Sequence, residues 1–256
     1  MTRVGVGAEK LASLRGEPSR SGILADFDGT LSPIVDDPGA AEPLSGVPEV
    51  LAQLAEQYER VAVVSGRPVA FLARFLPPVL FLSGLYGLEV IDRGRRRDHP
   101  SGGAWREVIN DVASYSEARG PAGMRVENKG LSLTLHYRTR PEIEADVEAW
   151  AERQAARSGL DVRPARMSFE LHPPIPADKG SAVEEVARGL DAVCFIGDDR
   201  GDLPAFAALD RLEAGGTTVV RVAVRSPEAP PELLERADLV VDGPDGVLAF
   251  LESLLL

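Results

Sequence analysis

The chain has 256 residues, 44% of them hydrophobic, with 28 basic and 40 acidic side chains and a formal net charge of -12. That size and apolar content suit one large domain or a core with an inserted second unit. No run approaches the ~20 apolar residues of a membrane span, and the acidic balance argues against a general nucleic-acid binder while leaving room for a locally positive site that takes an anion.

In chain order, the opening MTRVGVGAEKLASLRG lacks a continuous apolar segment, so no secretory signal is expected. A first strand is expected over 23–27, where Ile23-Leu24-Ala25 runs into Asp26 and Asp28, with Gly29 and Thr30 directly after. Side chains at i and i+2 of a strand share a side, so two such carboxylates need a cation, a shared proton or a chemical role; a plain Asp-Gly turn is the alternative. A helix over 47–58 follows, then a strand over 61–64 that runs into Ser65-Gly66-Arg67-Pro68, a helix over 69–75 and a strand over 79–82. Arg93, Arg95, Arg96 and Arg97 make a basic tract that reads as a solvated turn.

The pattern changes over 98–174. In GLSLTLHYR, Leu131, Leu133, Leu135 and Tyr137 alternate with Ser132, Thr134, His136 and Arg138. In RMSFELH, Met167, Phe169 and Leu171 alternate with Arg166, Ser168, Glu170 and His172. This is a sheet packed on one face, and a helix started by Pro141 and ended by Gly159 offers Ile143, Val147, Trp150 and Ala151 to cover it. The remaining polar row either meets solvent or faces an active-site cleft.

Beyond this insertion, Asp178 precedes Lys179 and a helix over 181–190. A strand over 193–196 holds the single cysteine, Cys194, a packing residue whose isolation excludes an internal disulfide and suits a reducing, cytoplasmic setting. Gly197-Asp198-Asp199 and Asp202 follow, then a helix over 204–208 and strands over 219–224 and 239–241. Short apolar strands alternating with helices predict an α/β, Rossmann-like parallel sheet. The expected division is a catalytic core of 1–97 and 175–256 with an inserted α+β cap of 98–174 acting as a specificity lid.

In such sheets ligands bind beyond the carboxyl ends of the strands, where Asp26, Ser65 and Asp198 all fall. Each stretch alone has a dull reading as a turn, a helix entry or a cap. Together they form the set that phosphoryl transfer through a carboxylate uses: one aspartate attacks phosphorus, a second moves the proton, a hydroxyl and a lysine hold charge, and a hard cation neutralises the acids.

At these residues the chain resembles the haloacid-dehalogenase superfamily, with DFDGT as its first motif, Ser65 its second, Lys179 its third and GDDRGD its fourth. The resemblance implies that Asp26 is the nucleophile and Asp28 the acid/base. It also implies that Asp26, the Asp28 backbone carbonyl and Asp198 bind Mg²⁺, with Asp199 and Asp202 in support. An aspartate at position 28 belongs to the superfamily's phosphatases and mutases.

Finer features resemble the trehalose-6-phosphate phosphatases from about residue 22 onward: SGRP with Arg67, RVENKGLSLTLHYR with Glu127, Lys129, His136 and Arg138, and FELHPPIPADKGSA with Glu170, Asp178 and Lys179. By that resemblance Glu127, Lys129, Arg138 and Glu170 grip the sugar. The chain would then be a monomeric enzyme that releases trehalose and phosphate through an aspartyl-phosphate, the last step of trehalose biosynthesis. Glu127 and Lys129 have the wrong parity for the polar row unless the chain turns or bulges near Gly130. Tyr86 stands where the family commonly has histidine, His172 where a basic residue is usual, and Leu203 where an acid often follows. Another sugar phosphate such as sucrose 6-phosphate, an aspartyl-phosphate signalling module and a sugar-binding relative stay open as alternatives; the 98–174 insertion counts against the signalling module.

Overall fold

The computed structural model describes residues 3–35, 37–165, 167–226 and 229–255, with residues 3–6 described in backbone only. The chain divides into two compact units, Met1–Arg97 with Ala177–Leu256, and Asp98–Pro176.

The first unit is built on α1 (Arg3–Gly16), β1 (Ser21–Ala25), α2 (Val47–Gln57), β2 (Arg60–Val64), α3 (Val69–Leu72), β3 (Phe81–Gly84), β4 (Glu89–Asp92) and β5 (Arg95–Asp98). After the inserted unit the chain adds strands β10 (Ala192–Gly197), β11 (Thr218–Arg225) and β12 (Leu239–Asp242) to the same sheet, whose order is β12-β11-β10-β1-β2-β3-β4-β5. From β12 to β3 every pairing is parallel, and only then does β4 turn back antiparallel to β3. Parallel strands buried on both faces carry apolar residues at every position. Thus Ile23, Val61, Val63, Cys194 and Ile196 join one apolar layer with α2, while Leu24, Ala62, Val64, Val193 and Phe195 join the other. Helices α6 (Lys179–Val186), α7 (Leu203–Ala214) and α8 (Pro231–Arg236) pack on that second face, and α9 (Gly243–Ser253) packs on the first.

The expected parallel α/β architecture is therefore present, with local corrections. Strand β3 begins at Phe81 and not at 79, because the Leu80 N–H closes a turn onto the Pro77 carbonyl (3.1 Å) and Val79 is left exposed. Helix α6 starts two residues earlier than expected, at Lys179, and ends at Val186, before Gly189 takes a positive φ. Helix α7 runs on to Ala214. Cys194 is fully buried among apolar side chains. The arginine tract forms the exposed β4–β5 hairpin, where Arg93 faces Glu59, Arg96 pairs with Glu89 (2.6 Å) and Arg97 pairs with Glu185.

The second unit has α4 (Arg106–Arg119), β6 (Arg125–Asn128), β7 (Leu133–His136), α5 (Glu144–Ser158), β8 (Asp161–Ala165) and β9 (Ser168–His172). Its four strands pair antiparallel in the order β6-β7-β9-β8. Pro164 is tolerated because β8 is an edge strand, where a missing N–H breaks no central ladder. Leu133, Leu135, Tyr137, Phe169 and Leu171 make the apolar face, covered by Val147 and Ala151 of α5 as expected and by Ile109 and Val112 of α4. Trp150 is only half-buried; its indole N–H donates to Ser116 Oγ (3.0 Å) and its ring stacks on Tyr115. Arg166 lies outside the described residues. On the opposite, polar face Ser132, Thr134, Ser168, Glu170 and His172 are all buried, while Glu127 and His136 keep partial exposure.

Candidate active site

Strand β1 ends at Ala25, but its ladder continues one step, with the Asp26 N–H donating to the Ile196 carbonyl (2.9 Å). Asp26 is thereby held at the carboxyl end of the central strand pair, buried. Its Oδ1 lies 2.8 Å from Lys179 Nζ, and the same ammonium donates to Asp202 Oδ1 at 2.7 Å. Lys179 reaches this point because it is the first residue of α6. Asp178 caps that helix, its Oδ1 accepting the Ser181 N–H (2.7 Å) while its own N–H donates back to Ser181 Oγ (3.0 Å), which fixes the direction of the first turn.

The loop after β10 supplies the rest. Asp202 Oδ2 accepts the N–H groups of Asp198 (2.8 Å) and Asp199 (3.1 Å), so one buried carboxylate both braces the loop and meets Lys179. Asp199 Oδ1 accepts the Gly201 N–H (2.8 Å), and Thr30 Oγ1 donates to Asp198 Oδ1 (3.3 Å). Gly29, at φ +80°, leaves room for that carboxylate; a Cβ there would sit 2.1 Å from Asp198 Oδ2. Ligand atoms of Asp26, Asp198, Asp199 and Asp202 lie within 4.8 Å of one another.

The electrostatics of this cluster are uneven. Burial drives the Asp26 carboxyl well above its usual range; Lys179 opposes that shift, and Asp202, Asp199 and Asp198 add to it. Asp198 is pushed up to about 8, first by burial and then by Asp202 and Asp199. Lys179 is raised as well: burial works against its charge, but Asp202 and Asp26 outweigh it. A single ammonium thus faces four acids. The donor set, all carboxylate oxygen, is the type that suits a hard divalent cation, and such a charge is what would let buried Asp26 and Asp198 stay ionised together. The residues present therefore fit Mg²⁺.

Asp28 lies apart from this group. Its carboxylate takes a two-pronged contact from Arg67, Nε to Oδ2 at 2.7 Å and Nη2 to Oδ1 at 2.6 Å, so it contributes no side-chain ligand to the acidic cluster. Asp26 and Asp28 are thus relieved by separate cations, one on α6 and one after β2. The same Arg67 donates to the Pro38 carbonyl (2.6 Å) and lies over the Phe71 ring, and its backbone N–H donates to Ser65 Oγ (3.2 Å).

A sequence profile of the trehalose-phosphatases matches residues 24–233. The chain belongs to the trehalose-phosphatase family. The trehalose-phosphate phosphatase of Mycobacterium leprae is 33% identical over 215 residues, 77% of this chain and 50% of that protein. That of Mycobacterium ulcerans is 34% identical over 202 residues, 74% of this chain and 52% of that protein. The chain spans about half the length of the curated relatives it matches. Among solved structures, the C-terminal domain of the C. albicans trehalose-6-phosphate phosphatase is 25% identical with a TM-score of 0.75, covering 97% of this chain and 96% of that one.

The site residues expected from the sequence divide between the two units. In the second, the turn after β6 (Gly130 φ +88°, Lys129 N–H to the Ser132 carbonyl at 2.9 Å) brings Glu127 opposite Thr134, beside His136. Glu127 Oε2 lies 2.8 Å from His136 Nε2, and Lys129 Nζ donates to Glu170 Oε1 at 2.9 Å. Glu170 also accepts from Ser132 Oγ (3.2 Å) and faces His172 at 3.2 Å. Burial disfavours its charge, yet Lys129 and His172 together hold its carboxyl well below the usual range. Arg138 lies past the end of β7.

Departures from the family pattern also find places. Tyr86 follows Leu85 in the left-handed region (φ +60° and +48°), its N–H donating to the Ser65 carbonyl (3.1 Å), and its hydroxyl lies against Gly66, 2.7 Å from where a Cβ would stand. Leu203 opens α7 and packs on the apolar layer. Two contributors escape a reading of motifs by acidity and charge. Thr30, in plain view after Gly29, is fully buried on Asp198, and Ser132 reaches Glu170; the β alternation places Ser132 on the right face but does not reveal its partner.

Proposed function

We propose that the chain is a Mg²⁺-dependent phosphatase that hydrolyses trehalose 6-phosphate to trehalose and phosphate. The observation that carries this reading is the buried Asp26, aligned by the β1–β10 ladder, held 2.8 Å from Lys179 and bordered by Asp198, Asp199 and Asp202. Membership of the trehalose-phosphatase family supports that choice of substrate.

Asp26 Oδ attacks phosphorus, forming an aspartyl-phosphate as the bond from phosphorus to the sugar oxygen breaks; Asp28, in its protonated form, gives that oxygen its proton and then takes one from the water that attacks phosphorus, breaking the aspartyl–phosphate bond, releasing phosphate and restoring the Asp26 carboxylate. Lys179 and the Ser65 hydroxyl hold charge on the transferred group. Asp26, the Asp28 carbonyl and Asp198 would hold Mg²⁺, with Asp199 and Asp202 setting their positions; bound there, the cation supplies the positive charge that phosphate and carboxylates need to converge. Arg67 keeps Asp28 oriented between these events. In the second unit, Glu127, Lys129, His136, Arg138 and Glu170 form the sugar-recognition face, as a specificity lid; the Lys129–Glu170 and Glu127–His136 pairs fix those groups in defined geometry before any sugar is present.

Phosphate release across a panel that includes trehalose 6-phosphate, sucrose 6-phosphate and glucose 6-phosphate tests the reading. The expected result is a kcat/KM for trehalose 6-phosphate far above the others, lost in Asp26→Asn. Equal rates across the panel would reduce the assignment to an unspecific phosphatase, and no turnover of any member would favour a binding module.

A further inference from the structure

Thr134 sits at the centre of the polar face of the second unit's sheet. Its neighbours Leu133 and Leu135 point into the apolar core, so strand alternation aims Thr134 to the opposite side. On that face it lies directly across from Glu127 on β6 and from Glu170 on β9. It is only 3% exposed, yet its Oγ1 has no hydrogen-bond partner among the described residues. The two flanking carboxylates reach elsewhere: Glu127 to His136, and Glu170 to Lys129, Ser132 and His172. A buried hydroxyl without a partner destabilises the fold that carries it, and native proteins keep few of them.

We infer that Thr134 is a specificity-determining residue whose hydroxyl pairs with a hydroxyl of the bound sugar. The chemistry of the row selects that ligand class. A phosphate set between Glu127 and Glu170 would be repelled, and the Lys129 ammonium is already paired with Glu170. A neutral polyol has no such conflict: its O–H groups donate to the carboxylates, and a hydroxyl between them serves Thr134 as donor or acceptor. The inference rests on the reading of this face as the sugar-recognition surface.

Thr134→Val keeps the shape and removes the hydroxyl, and Thr134→Ser keeps the hydroxyl. For Thr134→Val we expect KM for trehalose 6-phosphate to rise about 3- to 10-fold at unchanged kcat, the worth of one neutral hydrogen bond made alike in ground and transition states. Hydrolysis of p-nitrophenyl phosphate should not change. In the absence of substrate the same variant should melt about 2–4 °C higher, because a desolvated, unpartnered group has gone. Thr134→Ser should restore the wild-type KM. A residue of merely structural importance would lower Tm and leave KM alone. An unchanged KM with normal wild-type turnover of trehalose 6-phosphate overturns the inference by itself, as does a Tm that falls. A wild type that does not turn over trehalose 6-phosphate overturns both it and the reading it rests on.

Discussion

Lys179→Met removes the one cation shared by Asp26 and Asp202 while keeping most of the side-chain volume. In the wild type its Nζ lies 2.8 Å from Asp26 and 2.7 Å from Asp202, with all three side chains nearly inaccessible to solvent. Taking one partner from a buried ion pair costs ~3–5 kcal/mol, because the remaining charge stays in a dry site. Both carboxylates can relax by taking up a proton, which burial already favours, so the lower end applies, about 3 kcal/mol. For a chain of this size ~2–4 °C accompany each kcal/mol, so Tm should fall by about 6–12 °C in EDTA. A divalent cation among the same acids replaces part of the lost charge, and millimolar Mg²⁺ should therefore return part of that Tm while activity stays near background. Differential scanning fluorimetry with and without Mg²⁺ reads both effects. A variant that melts with the wild type in EDTA would show that Lys179 does not hold the acid cluster together. A loss that Mg²⁺ leaves untouched would sink the metal assignment.

Chelation of the wild type should abolish turnover, and added Mg²⁺ should restore it; full activity in metal-free buffer refutes the need for a cation at Asp26 and Asp198. Asp28→Asn should slow the first step for trehalose 6-phosphate by ~10²- to 10⁴-fold but spare p-nitrophenyl phosphate, whose leaving group needs no proton; single-turnover kinetics with equal losses count against the acid role. Gly29→Ala places a Cβ 2.1 Å from Asp198 Oδ2 at a φ of +80°. That residue should displace the carboxylate, cost roughly 1–3 kcal/mol in urea unfolding and bring activity near background; a fully active, fully stable variant would contradict the packing of Gly29 on Asp198.

The central sheet was legible because strands buried on both faces must be apolar throughout, as in AVCFIG of β10. Strands and helices of weaker pattern were not. β5 is four charged, exposed residues that owe their conformation to a neighbouring strand, and β8 carries a proline that only its edge position excuses. Helix α1, with Gly5 and Gly7 in its first two turns, shows no strong helical stripe. At the candidate site, the gathering of Asp26, Lys179, Asp198 and Asp202 follows from strand ends meeting on one edge. Which cation each acid would take does not follow: the Arg67–Asp28 fork joins residues 39 apart through side-chain directions that no spacing encodes. Likewise, alternation identified the polar row of the second unit, but not that Ser132, Thr134 and Glu170 would be buried in it.

The strand order also fixes a schedule for folding. The central strand β1 pairs with β10 as well as β2, so Ile23 must wait for Cys194. Every pairing of the second unit's sheet, in contrast, closes within 98–176. Contacts distant in sequence form slowly, since a long loop must close before they give any return. On the ribosome the second unit emerges whole while β1, β2 and β3 have an open edge where β10 belongs. That edge is apolar and unpaired, the type of surface on which chains associate wrongly. Loss of material in expression should therefore fall most heavily on changes that delay or weaken β10, even when they are far from any substrate.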